Sequence, residues 1–174
     1  MKTINLCTSP RRPALFSLLF SVLLSTMLLG CVSAPPLPGA PQQEVMTRLG
    51  KPSAVYSVQD DTVLEYATGP FGQFTYMARI GPDGRLASYE QVLTDAKFAT
   101  VKVGITTKED VLHTFGRPAE TSYLPRQKLG VWTYRYKQSD VWDAMMHVHF
   151  DDQGIVRMMM SGPDEYKERR SFFR

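Results

Sequence analysis

Little in this sequence favours an enzyme. No serine stands in a nucleophile elbow, and no glycine-rich loop is spaced to hold a phosphate. The 174 residues include only two cysteines, Cys7 and Cys31, and both lie toward the N-terminal end. This excludes a framework of several disulfides such as stabilises many small secreted domains. We therefore expect a non-catalytic protein that needs no cofactor and is stabilised by packing.

Excess charge is also lacking once the N-terminal end is set aside. The chain has a formal net charge of +3, but Lys2, Arg11 and Arg12 are the basic residues among the first 30, which contain no acidic residue. Without residues 1–30, the chain contains 17 basic and 17 acidic residues and has no basic run. This balance argues against nucleic acid as a partner and against an electrostatic membrane footprint.

One long apolar run, residues 14–30, separates the basic residues from Cys31. It is too short and wrongly flanked for a stable transmembrane span, and its layout is typical of a signal peptide. Leu28-Leu29-Gly30-Cys31 resembles the lipobox of bacterial lipoproteins. That resemblance implies removal of residues 1–30 and acylation of Cys31, which leaves no free thiol. The alternative is an ordinary signal peptide followed by an accidental cysteine.

Residues 31–42 contain four prolines and predict an extended tether. At about 3.1 Å per residue, it would hold the folded part up to roughly 30 Å from the bilayer. Val32 stands where many lipoproteins of the inner membrane carry an aspartate. By resemblance, this favours the periplasmic face of the outer membrane, with the bilayer bound through acylated Cys31.

The remaining chain contains two copies of one pattern, residues 43–92 and 93–160, followed by a tail at 161–174. Each copy has a short helix that ends at a glycine shortly before a proline, Gly50 in the first and Gly116 in the second. Thr106 and Glu109 have capping-box spacing before the second helix. Residues 93–104 predict an extra helix. An accidental likeness between the halves is the alternative, because this helix stop is common.

Both copies continue with alternating residues that predict three or four antiparallel strands. Trp132, Tyr134 and Tyr136 share one face of a strand, which we expect to be buried, while Thr133 and Arg135 share a face that looks outward. Turns at 81–84 and 151–154 supply glycine for hairpins. The predicted fold is α+β, with two tandem units of helix plus antiparallel meander.

The second copy has a recognisable set of residues at the helix stop, the aromatic strand and the last turn. These residues are Gly104, Thr106, Val111, Gly116, Pro118, Trp132, Tyr134, Phe150 and Gly154. With them the second copy resembles the SmpA/OmlA domain of the BamE family of outer-membrane lipoproteins. The first copy matches this pattern less well, because Leu64 stands in place of the tryptophan and Ile80 in place of the phenylalanine.

The BamE resemblance implies a non-catalytic, lipid-anchored accessory factor of β-barrel outer-membrane protein assembly. Its partners would be envelope proteins, including the β-barrel assembly complex. Tandem units also resemble the β-lactamase-inhibitor-protein fold, in which two units combine their sheets into a concave binding surface. That second resemblance implies an inhibitor or sensor that clasps a periplasmic envelope enzyme.

Large side chains in predicted loops are the candidate partner-binding residues. We expect one shared surface bordered by Phe71, Phe74, Tyr123, Arg126 and Trp142, because exposed aromatic residues often anchor interfaces. The alternative is that Phe71 and Trp142 fold back over a sheet edge.

His147 and His149 share one strand face and have the spacing of two metal ligands. A tight site needs three or four ligands. The corresponding residues of the first copy are Met77 and Arg79. We therefore expect a solvated sheet face and no metal.

Overall fold

The computed structural model describes residues 34–167, so the predicted signal peptide and Cys31 lie outside the described residues. No helix in the described part combines the length and apolar character needed to cross a membrane. The first half consists of α1 (Gln42–Leu49), β1 (Ala54–Val58), β2 (Asp61–Ala67), β3 (Thr75–Ile80) and β4 (Leu86–Gln91). The second half consists of α2 (Asp95–Phe98), α3 (Lys108–Phe115), β5 (Glu120–Leu124), β6 (Leu129–Gln138), β7 (Trp142–Phe150) and β8 (Val156–Pro163).

The strands form two separate antiparallel meanders, each in chain order. Sheet 1 contains β1–β4 and sheet 2 contains β5–β8. This confirms the α+β class and the predicted meanders. The sequence predicted a helix in residues 93–104. In the structure the helix in this segment, α2, contains four residues and ends at Phe98.

Both long helices end at the predicted glycines. Gly50 after α1 and Gly116 after α3 have φ angles of 83° and 81°, in the left-handed region that favours glycine. The start of α3 differs from the prediction. Its capping box joins Thr107 and Asp110, whereas the sequence pattern indicated Thr106 and Glu109.

Thr106 has another role, which explains the shift by one residue. Its hydroxyl accepts a hydrogen bond of 2.9 Å from the backbone N–H of Lys102 and so closes the loop before α3. Thr107 is thereby left to cap the helix, with its hydroxyl 3.1 Å from the N–H of Asp110.

The two sheets share the same strand register. Ala54 pairs with Glu65 in sheet 1 as Glu120 pairs with Thr133 in sheet 2. Each sheet is irregular at one corresponding place, between Arg79 and Ile80 in sheet 1 and between His149 and Phe150 in sheet 2. The isolated bridges also correspond, Pro41 to Arg85 and Thr107 to Ile155.

Two apolar clusters define the layers. The smaller cluster packs α1 on one face of sheet 1 through Val45, Leu64, Ala78, Ile80 and Leu86. The larger cluster joins the other face of sheet 1 to α2, α3 and sheet 2. Its buried members are Val63, Met77, Val92, Leu93, Phe98, Val111, Phe115, Tyr134, Tyr136, Ala144, Val148, Phe150 and Val156. Helices α2 and α3 therefore lie between the two sheets.

Aromatic rings fill the centre of the larger cluster. The ring centroids of Phe98 and Phe115 are 4.6 Å apart, and Tyr136 meets Phe98 edge-on at 5.1 Å. The Tyr134 hydroxyl donates a 3.0 Å hydrogen bond to the Gly116 carbonyl and so ties sheet 2 to the end of α3.

The other face of sheet 2, which we call its outer face, is less open than predicted. It consists of Val131, Thr133, Arg135, Met145, His147, His149, Met158 and Met160, which are paired across β6–β8. Thr133, Arg135 and His149 are buried, which corrects the prediction that this side of the strands looks outward. Met158 and Met160 are exposed.

Parts of the predicted tether and tail belong to the folded structure. The N–H of Gly39 donates to the Leu86 carbonyl at 2.7 Å, and the N–H of Leu86 donates to the Ala40 carbonyl at 2.8 Å. The end of the tether is thus bonded to the start of β4. At the other end, β8 continues to Pro163 and Asp164 is fully buried.

Candidate protein-binding surface

Large apolar side chains are exposed where the β2–β3 loop meets the β6–β7 hairpin. Phe71 is 60% exposed and Trp142 is 70% exposed, values that are high for such side chains. Phe74 and Val141 are exposed beside them in sequence. We call these four residues the aromatic end.

Gln73 docks the β2–β3 loop on the hairpin. Its buried side-chain amide donates to the carbonyl of Tyr136 at 3.2 Å and to the carboxylate of Asp143. Burial opposes charge on Asp143, but hydrogen bonds from Lys137 and Gln73 prevail and lower the pKa of that carboxyl. The two loops are therefore held together by polar contacts that leave the aromatic rings outside.

Helix α2 fixes the tip of the hairpin. One carboxylate oxygen of Asp95 accepts a 2.7 Å hydrogen bond from the N–H of Ser139, and the other accepts a 3.1 Å bond from the Tyr136 hydroxyl. Ser139 and Asp140 have φ angles of 50° and 60°, an uncommon conformation for residues other than glycine. The Asp95 contact holds this turn and thus positions Val141 and Trp142 at the surface.

Phe71 lies over a buried arginine. Its ring stacks on that of Tyr166 with centroids 5.1 Å apart, and the Arg135 guanidinium is 5.6 Å from Phe71 and 5.7 Å from Tyr166. Arg135 also pairs with Asp164 at 2.7 Å and with Glu120. Burial opposes the charged guanidinium, but the hydrogen bonds that it donates to the carboxylates of Asp164 and Glu120 prevail and raise the pKa of Arg135.

The five predicted partner-binding residues do not form one surface. Phe71, Phe74 and Trp142 lie at the aromatic end, but Tyr123 on β5 and Arg126 in the β5–β6 turn lie at the opposite end of sheet 2. Tyr123 pairs with Gly130, whereas Trp142 pairs with Gln138. Eight residues of β6 separate these positions, roughly 27 Å at about 3.4 Å per residue. The prediction of a single shared surface is corrected by this geometry.

The two histidines lie on the outer face of sheet 2 as predicted. His147 Nδ1 is 2.9 Å from the Thr133 hydroxyl, while His149 is 5% exposed. Burial lowers the pKa of His147, and the neighbouring His149 contributes to the same shift. Among residues 34–167, no cluster of three or more histidine, cysteine, aspartate or glutamate residues could hold a metal ion.

A buried carboxylate marks the junction between the halves. Glu65 of sheet 1 is 1% exposed and accepts hydrogen bonds from the Tyr56 hydroxyl and, at 3.2 Å, from the N–H of Arg117 after α3. Burial raises the pKa of Tyr56, and the bond to Glu65 adds to the shift. These contacts join sheet 1 to the second half and give Glu65 a structural role.

Sequence reasoning missed Arg135, Asp164 and Gln73. Arg135 alternates with aromatic residues along β6, a pattern that predicts an exposed position. Only the chain segment after β8, far along the sequence, brings Asp164 to it. Gln73 and Asp143 are likewise 70 residues apart, and no local pattern connects them.

The second half of the chain is similar to a known protein family. Neither the curated proteins nor the solved structures include a match to this chain. Residues 90–160, which span α2 to β8, match the family model described as the outer membrane protein assembly factor BamE domain.

Proposed function

We propose that this protein is a non-catalytic accessory factor of outer-membrane protein assembly. The observation that carries the proposal is the similarity of residues 90–160 to the BamE assembly-factor domain. Those residues contain helix stops, hairpin turns and core aromatics, so they specify the fold of a module more than a chemical site. The role that fits is the binding of other proteins of the cell envelope, with the β-barrel assembly complex as the first candidate.

We infer that residues 43–92 form a second, diverged copy of the same unit. The common element order, the shared register and the matching helix-end glycines Gly50 and Gly116 support this inference. Leu64 occupies the position of Trp132, since each pairs with the corresponding strand residue, Ala78 and Val148. The family model matches residues 90–160, which correspond to the second copy. A chain with two copies therefore differs from the single domain that this model describes.

The proposed location is the periplasmic face of the outer membrane, with the chain anchored through acylated Cys31. The apolar run ending at Leu28-Leu29-Gly30-Cys31 supports this proposal. Labelling cells with a radioactive fatty acid tests it: the wild-type chain should incorporate palmitate and lose residues 1–30. Cys31→Ser should incorporate none and remain uncleaved. Labelling of Cys31→Ser at the wild-type level would contradict the anchor.

The aromatic end is the proposed contact surface for the envelope partners. Trp142 and Phe71 project from two loops that are fixed by Gln73 and Asp95, so an exposed apolar surface is presented on a pre-organised frame. Such surfaces lose little conformational entropy when a partner binds. Phe74 and Val141 widen the apolar area. Tyr123 and Arg126 lie too far away to contribute to the same contact.

Recovery of partners from cells tests the function. The full-length chain should be isolated from membranes after mild crosslinking and its partners identified by mass spectrometry. We expect the wild-type chain to recover components of the β-barrel assembly complex. Trp142→Ala or Phe71→Ala should recover several-fold less of these components. The thermal stability of the Trp142→Ala variant should equal that of the wild type. Tyr123→Ala is the matched control, because Tyr123 is similarly exposed at the other end of sheet 2. Absence of the assembly components with the wild-type chain would overturn the proposal.

The alternative of an enzyme-clasping inhibitor or sensor has weaker support. In the β-lactamase-inhibitor-protein fold, the sheets of the two units combine into one concave surface. Here the described strands form two sheets that share no strand pairing, and α2 and α3 lie between them. Stoichiometric inhibition of a periplasmic hydrolase by the purified chain would nevertheless favour that function over assembly.

A further inference from the structure

The pairing of β7 with β8 places two imidazoles beside two thioethers on the outer face of sheet 2. His147 pairs with Met160, and His149 pairs with Met158. We call these four residues the histidine–methionine set. Paired residues have Cβ atoms about 5 Å apart, and alternate residues of one strand are about 7 Å apart. The centre of the rectangle that the set forms is therefore about 4 Å from each Cβ atom. Histidine and methionine side chains are long enough to meet there.

Both histidines have a ring nitrogen that is available to a ligand. The Thr133 hydroxyl lies 2.9 Å from Nδ1 of His147. Donation of the Nδ1 proton to that hydroxyl leaves the lone pair of Nε2 for a metal ion. His149 is 5% exposed, and among the described residues its Nδ1 has no hydrogen-bond partner. Buried polar atoms are normally paired, so a bound cation would supply the contact that this nitrogen lacks.

Sheet 1 shows that the meander does not require this set. By the same strand register, sheet 1 has Met77 and Arg79 at the positions of the histidines, and Ser88 and Glu90 at those of the methionines. Arg79 forms an ion pair with Asp61. A guanidinium at this position would repel a cation. Packing of the common unit therefore does not account for the histidine–methionine set of sheet 2.

The chemistry of the set favours a soft cation of low charge. Neutral imidazoles and thioethers carry no charge, and this combination of ligands suits Cu(I). Hard cations prefer carboxylate and carbonyl oxygens. The sequence alone predicted no metal, because His147 and His149 are two ligands where a tight site needs three or four. The methionines of β8 raise the number to four, which the strand register reveals.

A metal ion can reach the set from solvent. The two methionines are 39% and 52% exposed at the β8 edge of the sheet. A groove of about 390 Å³ gives a second approach to His147, and its lining also includes Glu120, Arg135 and Glu165. The buried His149 is shielded from solvent. The set therefore combines one shielded ligand with ligands that are open to an arriving ion.

We propose that the histidine–methionine set binds one Cu(I) ion. Each of its residues contributes one ligand atom, a ring nitrogen or a thioether sulfur, and the Thr133 hydroxyl orients the ring of His147. The site goes beyond the proposed function and does not depend on it, because it is separate from the aromatic end and needs no protein partner.

Competition for Cu(I) tests the proposal. The full-length chain is isolated from membranes in detergent, its free thiols are blocked with N-ethylmaleimide, and ascorbate keeps the copper reduced. Ferrozine, a coloured chelator of Cu(I), then reports how much copper the protein takes. We expect the wild type to take one equivalent and Met158→Leu/Met160→Leu to lower the affinity at least about tenfold. Leucine nearly keeps the volume of methionine and removes the sulfur, so the thermal stability should not change.

Met159→Leu is the matched control, because Met159 lies between the two methionines of the set on β8 and packs against the larger apolar cluster. It should leave the affinity for Cu(I) unchanged. X-ray absorption of the copper-loaded wild type should show both nitrogen and sulfur neighbours. Three results would overturn the proposal: a wild type that takes no copper from ferrozine, equal losses of affinity in the double variant and the control, or a spectrum without sulfur. Recovery of the assembly components should not differ between the wild type and the double variant, so the copper site and the assembly role can fail separately.

Discussion

Arg135 and Asp164 form an ion pair in which both side chains are buried, 4% and 0% exposed, with Nη1 and Oδ1 2.7 Å apart. Asp164 follows the last strand and lies beyond the residues that match the BamE domain. The pair therefore fixes the chain that leaves β8 to the centre of sheet 2. It also places Tyr166 against Phe71, so a contact at the end of the second half helps to hold a loop of the first.

Removing one partner of this pair should be costly. Asp164→Ala removes the buried carboxylate that faces the buried Arg135 charge and leaves the more exposed carboxylate of Glu120, so we expect a loss of about 3 to 5 kcal/mol in the free energy of unfolding. Glu120→Gln is the matched control, because Glu120 is 57% exposed and its contribution should stay below about 1 kcal/mol. Urea denaturation measures both. Equal effects of the two substitutions would contradict a buried anchoring pair.

The glycines at the ends of α1 and α3 make a matched pair for testing the junction between the halves. Gly50 and Gly116 have nearly equal backbone angles, with φ of 83° and 81° and ψ of −163° at both, so an added side chain costs about 1 to 3 kcal/mol of backbone strain at either position. A Cβ at Gly50 would meet nothing within 4 Å, whereas a Cβ at Gly116 would lie 2.8 Å from the Glu65 carboxyl group. We expect Gly116→Ala to destabilise the protein by at least about 1 kcal/mol more than Gly50→Ala.

A double substitution isolates the steric part of that difference. In a Glu65→Ala background the carboxyl group is gone, so Gly116→Ala should cost no more than Gly50→Ala does. The double-mutant cycle then yields a coupling energy between positions 65 and 116. Additive effects in the cycle would mean that Glu65 does not pack against the end of α3.

Substitutions in the capping box of α3 test whether Asp110, as in the structure, or Glu109, as predicted from the sequence, stabilises the start of the helix. Asp110→Asn should cost about 1 kcal/mol, because Asp110 accepts hydrogen bonds from the N–H and the hydroxyl of Thr107. Glu109→Gln should change stability by less than about 0.5 kcal/mol. Thermal denaturation at neutral pH measures both, and a larger effect at Glu109 would restore the original assignment.

The same contact predicts a pH dependence. The backbone hydrogen bond from Thr107, aided by its hydroxyl, lowers the pKa of Asp110 below its ordinary value of 3.8. The folded state therefore binds this proton less tightly than the unfolded state, and the stabilisation is present above the unfolded pKa. It is lost as pH falls through the folded pKa. The stability difference between wild type and Asp110→Asn should accordingly shrink below about pH 4.

The elements that follow from local rules were predictable from the sequence. Gly50 and Gly116 end helices because few other residues tolerate their backbone angles, and the glycines at 84 and 154 close hairpins for the same reason. The alternation in β6 predicted the buried face of Tyr134 and Tyr136. The capping box was misplaced by one residue because Thr106 and Thr107 are adjacent and only the loop contact with Lys102 separates their roles.

The relations between the two halves were not predictable from local patterns. Burial of Arg135 depends on Asp164, and docking of the β2–β3 loop depends on Gln73 reaching Tyr136, 63 residues along the chain. The sequence pattern places Tyr123 and Trp142 in predicted loops, but it does not show which loops lie together at one end of a sheet. The residues predicted to border one surface therefore lie in two places, because the length of β6 separates Tyr123 from Trp142.

Titration of Tyr136 gives a prediction at alkaline pH. Its side chain is fully buried, and burial together with the hydrogen bond to Asp95 raises its pKa to about 12 from an ordinary value of 10.0. The folded state therefore keeps this proton after the unfolded state has lost it, so the free energy of unfolding falls as pH rises from about 10 to about 12. Tyr136→Phe should remove the contribution of the Tyr136 hydroxyl to the slope of the free energy of unfolding against pH, which is at most about 1.4 kcal/mol per pH unit. Urea denaturation of the wild type and of Tyr136→Phe at pH 9, 10 and 11 measures the slope of each protein. Parallel wild-type and Tyr136→Phe curves would show that the buried hydroxyl does not couple folding to pH.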